Sequence, residues 1–493
     1  MPLCHFYVRI QLLILILRFI RAAINCIPTL HIRATLLCIL SMLATPGQAE
    51  TLAQAITRAL QKFPEIQAAQ ARRETSSAQT GQARAEYFPS INIAAGEGRE
   101  TSRNASTRTL GADPTLTRRE AELTITQLLF DGGASDGQVR RFSARTEGAE
   151  FSVTDTSLNV ALRAAQAFIE VRRLREQIAI AQQNQATHEK TLEDVSLLAD
   201  AGRGRRADVT QAEARRALAN SALEQLTGQL RQAEASYRYL TGHVPDVLEE
   251  PADLNRVMPP QLDVAVDVAS RLHPAIRAAE KEIEAAQHDR ESARARMAAP
   301  RVTIEAGASR NRDLDGVSGL NSDRYVMLRF RYNLYRGMGD SERVRETEAR
   351  FDETYANLRR IRGEVERDVR QAWEALASDR SRLPQLARYA RASTEVAEAY
   401  RLQFQLGQRS LLDVLNSENE RFSAAGGHVA GRAAVTAGEV RLLASTGRLL
   451  DAMLSSPAKA TAQPQAPLEE PAPEALPAVP MDTLPEPAQE QPN

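Results

Sequence analysis

The chain has 493 residues, of which 25% are charged, 43% apolar and only 5% aromatic, with a single tryptophan, Trp373. Length allows two or three ordinary domains, but so few rings exclude a compact aromatic-rich core. A formal net charge of −1 argues against a nucleic-acid partner, which requires a basic face.

In chain order, the first feature is Arg33 followed by an apolar run over 34–44 and then Thr45-Pro-Gly-Gln-Ala49. A positive residue, a short apolar stretch and small residues at −3 (Gly47) and −1 (Ala49) predict a secretory signal removed before Glu50. The run is too short to span a bilayer comfortably; the competing reading is a buried helix. Residues 1–30 form an atypical extension, with a second apolar run from Leu12 to Ile20 interrupted by Arg18. The only cysteines, Cys4, Cys26 and Cys38, all precede Glu50. A processed chain then has no thiol, which excludes disulfides, thiolate zinc sites and cysteine nucleophiles.

Thr51 to Glu86 is predicted as a helix with Leu52, Ile56, Leu60 and Ile66 on its apolar face, ended by Pro89. Two strand-like runs follow. Ser90 and Asn92 alternate with Ile91 and Ile93; Glu120, Glu122, Thr124 and Thr126 alternate with Ala121, Leu123 and Ile125. Gly133 to Asp200 then reads as one helix, about 100 Å long at 1.5 Å per residue. The chain breaks at Gly202 and a second helix returns to Gly242.

The whole order repeats. A shift of 205 residues aligns Phe130 with Tyr335, Gly132 with Gly337, Gly202 with Gly407, Asp208-Val209 with Asp413-Val414, Glu213 with Glu418, Arg216 with Arg421 and Gly242 with Gly447. Upstream, Phe63-Pro64 matches His273-Pro274 and Pro89 matches Pro300. The second copy therefore predicts a helix over Asp263 to Ala298, two strands, a long helix from Met338 to Leu406 and a return to Gly447. Its strands are Arg301 to Ser309 and Tyr325 to Leu334. The latter carries Val326, Leu328, Phe330, Tyr332 and Leu334 on one face and Arg329, Arg331 and Asn333 on the other.

Strands apolar on one side and charged on the other suit a transmembrane β-barrel with a watery lumen, in which Arg329 and Arg331 face inward. A half-buried soluble sheet alternates equally; the export signal and the long helices favour the membrane. Tyr87, Phe88, Phe130, Tyr332 and Tyr335, near the strand–helix junctions, stand where an interface belt would lie. The loops 99–118 and 311–323 read as solvent-exposed. Four strands cannot enclose water, and an open edge in lipid leaves backbone groups unsatisfied, so several chains must pool their strands.

With these features in place the chain resembles the TolC-like outer membrane factor family over residues 50–454. The resemblance rests on the duplicated element order, on Gly202-Arg-Gly-Arg-Arg-Ala-Asp208-Val and Gly407-Gln-Arg-Ser-Leu-Leu-Asp413-Val at the hairpin turns, and on Leu129-Phe-Asp-Gly-Gly133 where strand becomes helix. It implies a mainly α fold with transmembrane β structure: duplicated long helical hairpins forming an α-barrel, and four strands per chain contributed to a 12-stranded barrel in a homotrimer. It also implies an outer-membrane exit duct for type I protein secretion or multidrug efflux. A periplasmic adaptor (membrane fusion) protein and an inner-membrane transporter of the ABC or RND type would be its partners. By the same resemblance Asp208, Phe404, Arg409, Asp413 and Asn416 lie at the periplasmic gate, with Arg409 paired to Asp208. Phe404 replaces a tyrosine and Asn416 a possible second aspartate, leaving Asp413 as one acidic ring.

Residues 1–49 thus read as signal, 50–250 and 251–454 as the two repeats, and 455–493 as a tail holding ten of the 23 prolines, too polar to order itself. No Walker loop, metal-ligand cluster or Gly-x-Ser-x-Gly elbow occurs, so neither a cofactor nor an enzyme is expected. The rival readings are a periplasmic adaptor, which would have one hairpin flanked by small β domains, and a soluble coiled-coil scaffold.

Overall fold

The computed structural model describes residues 49–454 apart from Leu110 and Ala112. The expected signal, bar Ala49, and the Pro-rich tail lie outside these residues. The first helix is capped by a reciprocal pair: the Thr51 hydroxyl accepts from Gln54 N at 3.2 Å, and Gln54 Oε1 accepts from Thr51 N at 3.0 Å. It ends sooner than the apolar periodicity implied. Two helices, α1 (Leu52–Lys62) and α2 (Pro64–Arg84), replace the single one expected, and the second copy divides likewise into α6 (Leu262–Leu272) and α7 (Pro274–Ala298). The cause is the proline at the first position of α2 and of α7, which forces Phe63 and His273 into extended backbone.

Strand β1 (Ser90–Thr101), a one-turn helix α3 (Ala105–Arg108) and strand β2 (Thr115–Phe130) follow α2. The chain then enters α4 (Ala134–Asp200), 67 residues long. Asp131 fixes this start, its carboxylate accepting from Gly133 N at 3.1 Å and Ser135 N at 2.8 Å. At the far end Gly202 adopts φ +71° and Arg203 N donates to Leu198 O at 2.9 Å, satisfying a terminal carbonyl and turning the chain into α5 (Arg206–Thr241). Copy two is β3 (Arg301–Arg312), β4 (Leu320–Arg331), α8 (Gly339–Gln405), α9 (Leu411–Ser445) and a short α10 (Leu449–Leu454). Its turn repeats the device, with Gly407 at φ +74° and Gln408 N donating to Gln403 O at 2.8 Å. Helix α8 runs unbroken through Pro384, which supplies no amide for the Arg380 carbonyl; its counterpart in α4 is Ala179.

Along its sheet-proximal half α4 packs between α2 and α7; along its distal half it packs between α5 and α9. Helix α8 lies beyond α7 and α9. The main apolar core gathers at mid-height, where α1 and α10 cover the middle of α4 and bury Ile56, Phe63, Val160, Phe168 and Leu449. Each such large side chain contributes roughly 1.5–3 kcal/mol. A second cluster joins α6 and α7 to α8 through Ala265, Ile276, Val369 and Leu376.

The sheet is wholly antiparallel in the order β1-β2-β3-β4, so the β2–β3 ladder joins the two copies. The strands are longer than expected at the loop end, and β4 stops at Arg331, leaving Tyr332 and Leu334 beyond it. The loops are also less open than their composition implied. Asn104 Nδ2 donates to Asp315 O at 2.6 Å, Thr107 is buried, and a Cβ on Gly316 would lie 2.6 Å from Thr107 Cγ2. The two strand connections therefore clasp each other.

Candidate conduit: sheet faces and helical entrance

Cross-strand partners share a face. The register Ile91↔Ile125↔Ala306↔Val326 and Ile93↔Leu123↔Ala308 thus defines one apolar face. Its side chains cover nothing: Ile93 is 80% exposed, Val326 71% and Leu328 and Phe330 69% each. In water such a surface is unfavourable; in lipid it is the solvated side. The opposite face carries Glu122, Thr124, Glu305, Tyr325, Arg329 and Arg331. There Tyr325 donates to Glu305 Oε1 at 2.8 Å, and Arg329 Nη2 donates to the same oxygen at 3.0 Å. Arg331 lies on this polar face too, paired in register with Arg301. No helix among the described residues is long and apolar enough to cross a membrane.

The hairpin ends bring together part of the expected gate. Asp208 and Asp413 occupy equivalent positions in the first turns of α5 and α9, where an acid is stabilised by the helix dipole. Asp413 N donates to Ser410 Oγ at 3.2 Å, and its carboxylate is 3.8 Å from Arg409 Nη1. Arg409 does not pair with Asp208 in the same chain. Its Nε donates to Gln403 Oε1 at 2.9 Å, and its guanidinium lies 4.1 Å from the Tyr400 ring centroid. The local turn explains this: Gly407 folds Arg409 back over the last turns of α8. Phe404 packs on the small cluster of Val195, Leu411 and Leu415. Asn416 Oδ1 accepts from Arg215 Nη2 at 2.8 Å, tying α9 to α5.

A charged cluster above this turn was missed by sequence reasoning. Glu418 is 1% exposed, bound by Arg401 and by Arg421 Nε at 2.8 Å. His188 is buried on α4 within reach of the Glu418 charge; burial pushes its pKa down, Glu418 pulls it up, and Arg215 and Arg421 push it further down. The available signal was the repeated Glu213/Arg216 and Glu418/Arg421 spacing. Burial distinguishes the copies, because Glu213 is exposed.

A long-helix hairpin pair fused to a small sheet with an unsupported apolar face defines a membrane-anchored duct subunit. A profile of the outer membrane efflux protein family matches residues 55–243 and 265–448, one span in each copy. The chain belongs to that family, the TolC-like outer membrane factors. It is similar to the outer membrane efflux protein BepC of Brucella suis, 24% identical over 83% of this chain and 89% of that one. It is also similar to protein CyaE of Bordetella pertussis, 25% identical over 81% of this chain and 84% of that one. Its fold is that of the outer membrane protein VceC of Vibrio cholerae, with TM-score 0.69, 19% identity and coverage of 80% and 96%. The protein is thus an outer-membrane transport protein with a large periplasmic portion, not an enzyme. The adaptor and scaffold readings fall with this assignment.

Proposed function

We propose that three copies of this chain close into one exit duct, with a 12-stranded barrel in the outer membrane and a helical tunnel in the periplasm. The observation that carries this is that both flanks of the chain are open. The sheet ends in β1 and β4, and the helical layer ends in α2 and α5 on one side and α8 on the other. The repeat supports how the flanks join. The contact of α4 with α7 and α9 inside the chain would recur as α8 of one copy against α2 and α5 of the next. Gly132 meets Ala299, whereas its counterpart Gly337 has nothing within 4 Å and awaits the neighbouring copy.

In this reading Arg329 and Arg331 line the water-filled lumen. Asp208, Phe404, Arg409, Asp413 and Asn416 surround the periplasmic entrance, with Arg409 reaching Asp208 of an adjacent copy when the entrance is shut. Residues 1–49 direct export, 50–250 and 251–454 are the two repeats, and 455–493 form a periplasmic extension. A periplasmic adaptor and an inner-membrane ABC or RND transporter deliver cargo, which is either exported protein or small drugs. Fractionation and planar-bilayer recording test the duct together: the expected result is a detergent-dependent trimer from the outer membrane with discrete conductance steps. A monomeric or non-conducting protein would overturn it. Deleting the gene and comparing secreted proteins with drug sensitivity separates the cargo classes.

A further inference from the structure

The lipid-side face of the sheet changes character along its length. Near the helices it is apolar, through Ile91, Ile125, Ile304, Leu328 and Phe330. Towards the loops the same face carries Arg99, Arg119, Arg310, Arg312 and Arg324, with Glu97 as its one acid. Register fixes this placement: Arg119 pairs with Arg312 and with Glu97, Arg99 with Thr117, Arg310 with Ser322, and Arg324 with Ala308. Glu97 engages Arg119 at 3.1 Å. Among the described residues the guanidinium groups of Arg99, Arg310, Arg312 and Arg324 have no hydrogen bond or ion pair, and all four residues are exposed. On the polar face the balance differs: Arg118, Arg301 and Arg329 are neutralised by Glu100, Glu120, Glu86 and Glu305, and only Arg331 there has no ion pair among the described residues.

Unpaired guanidinium groups in lipid are costly unless an anion meets them. Arg324 stands two residues beyond Val326, about 7 Å further along the strand, where the hydrocarbon gives way to headgroups. Guanidinium is the side chain suited to bidentate phosphate contacts, and its aliphatic stem tolerates the acyl boundary. Resting on the barrel orientation proposed above, which puts the loops outside the cell, we propose that this arginine belt binds phosphorylated glycolipid headgroups of the outer leaflet. Free phosphate offers the same oxygens but no acyl chains to lie on the apolar band below.

The test uses full-length trimer in nanodiscs of phosphatidylethanolamine doped with bis-phosphorylated lipid A or its dephosphorylated form. Lipid retained after detergent extraction is counted by native mass spectrometry. The wild type should retain the bis-phosphorylated form at least fivefold over the dephosphorylated one, and R310Q/R312Q/R324Q should lose that preference while still conducting. Millimolar inorganic phosphate should not compete. Equal retention of the two lipids by the wild type overturns the proposal without reference to any variant, and competition by inorganic phosphate reassigns the belt to free anions and overturns it as a lipid site. A wild-type protein that neither trimerises nor conducts would instead remove the duct reading beneath it.

Discussion

Gly132 and Ala299 meet where the sheet gives way to the long helices: a Cβ on Gly132 would fall 2.1 Å from that of Ala299, and Gly132 stands at φ +70°. The contact seats the first long helix of one repeat against the second repeat. Gly132→Ala therefore meets left-handed strain of about 1–2 kcal/mol and a rigid overlap besides. Gly337→Ala meets strain alone within its own chain. In the unassembled, detergent-solubilised chain, thermal melts followed by circular dichroism should show the larger loss for Gly132→Ala; equal losses there would mean that the close approach does not matter.

The assignment of faces has a chemical readout. The chain beyond residue 49 contains no cysteine, so cysteines placed singly at 329 and 330 report only their own surroundings. A water-soluble maleimide should label position 329 several-fold faster in intact membranes. Preference for 330 would put the register one residue out, which inverts every side chain.

The loop clasp should resist external protease. The Asn104 side chain both caps α3, accepting from Thr107 N at 3.0 Å, and crosses to Asp315 O. Asn104→Ala removes a cap worth about 1 kcal/mol together with the crossing bond. Cleavage of whole cells by added protease should rise in the 102–114 segment; unchanged cleavage would show that the clasp is held by packing alone.

Acid should loosen the distal helices. Burial disfavours the charged imidazole of His188 and holds its pKa below the ordinary 6.5. Between its folded value and 6.5 the unfolded chain binds more protons, and stability falls as pH drops through that window. His188→Gln should flatten the loss. The measurement is hydrogen exchange in α9 near Glu418 at pH 7.5 and 5.5, since His273, also lowered by burial, titrates in the same sense elsewhere. An acid response identical in His188→Gln would exclude this histidine as its origin.

At the entrance, Arg409→Ser should raise single-channel conductance while leaving trimer yield unchanged. The proposed bond to Asp208 of a neighbouring copy would be worth about 1 kcal/mol or less at a wet site, enough to shift opening several-fold. Tyr400→Leu removes the ring beneath Arg409 and should shift conductance in the same direction, by less. Unchanged conductance in Arg409→Ser would dismiss the gate and leave the duct intact.

Much of this architecture is legible in the sequence because it is written twice. Gly202 with Gly407 and Asp208 with Asp413 mark the turns, and period-2 alternation in β3 and β4 assigns their faces. The break at Phe63 was hidden because apolar periodicity continues across it; only the proline constraint reveals it. The clasp of Asn104 with Asp315 depends on two loops 211 residues apart in sequence, and composition carries no trace of such a contact. At the hairpin ends the expected gate residues could be named without their contacts. Arg409 turns back onto Tyr400 because the left-handed Gly407 directs it there, and no pattern records the direction of one side chain.

Pro384 gives the two long helices unequal stiffness. From it to Gln405 the helix runs on for 21 residues, about 30 Å. A bend of only about 5° at the missing hydrogen bond would carry that end sideways by about 3 Å, the width of a water molecule. Ala179 gives α4 no such pivot. In a threefold ring the arms would then alternate between rigid posts and swinging levers, so dilation would proceed by three movements instead of six.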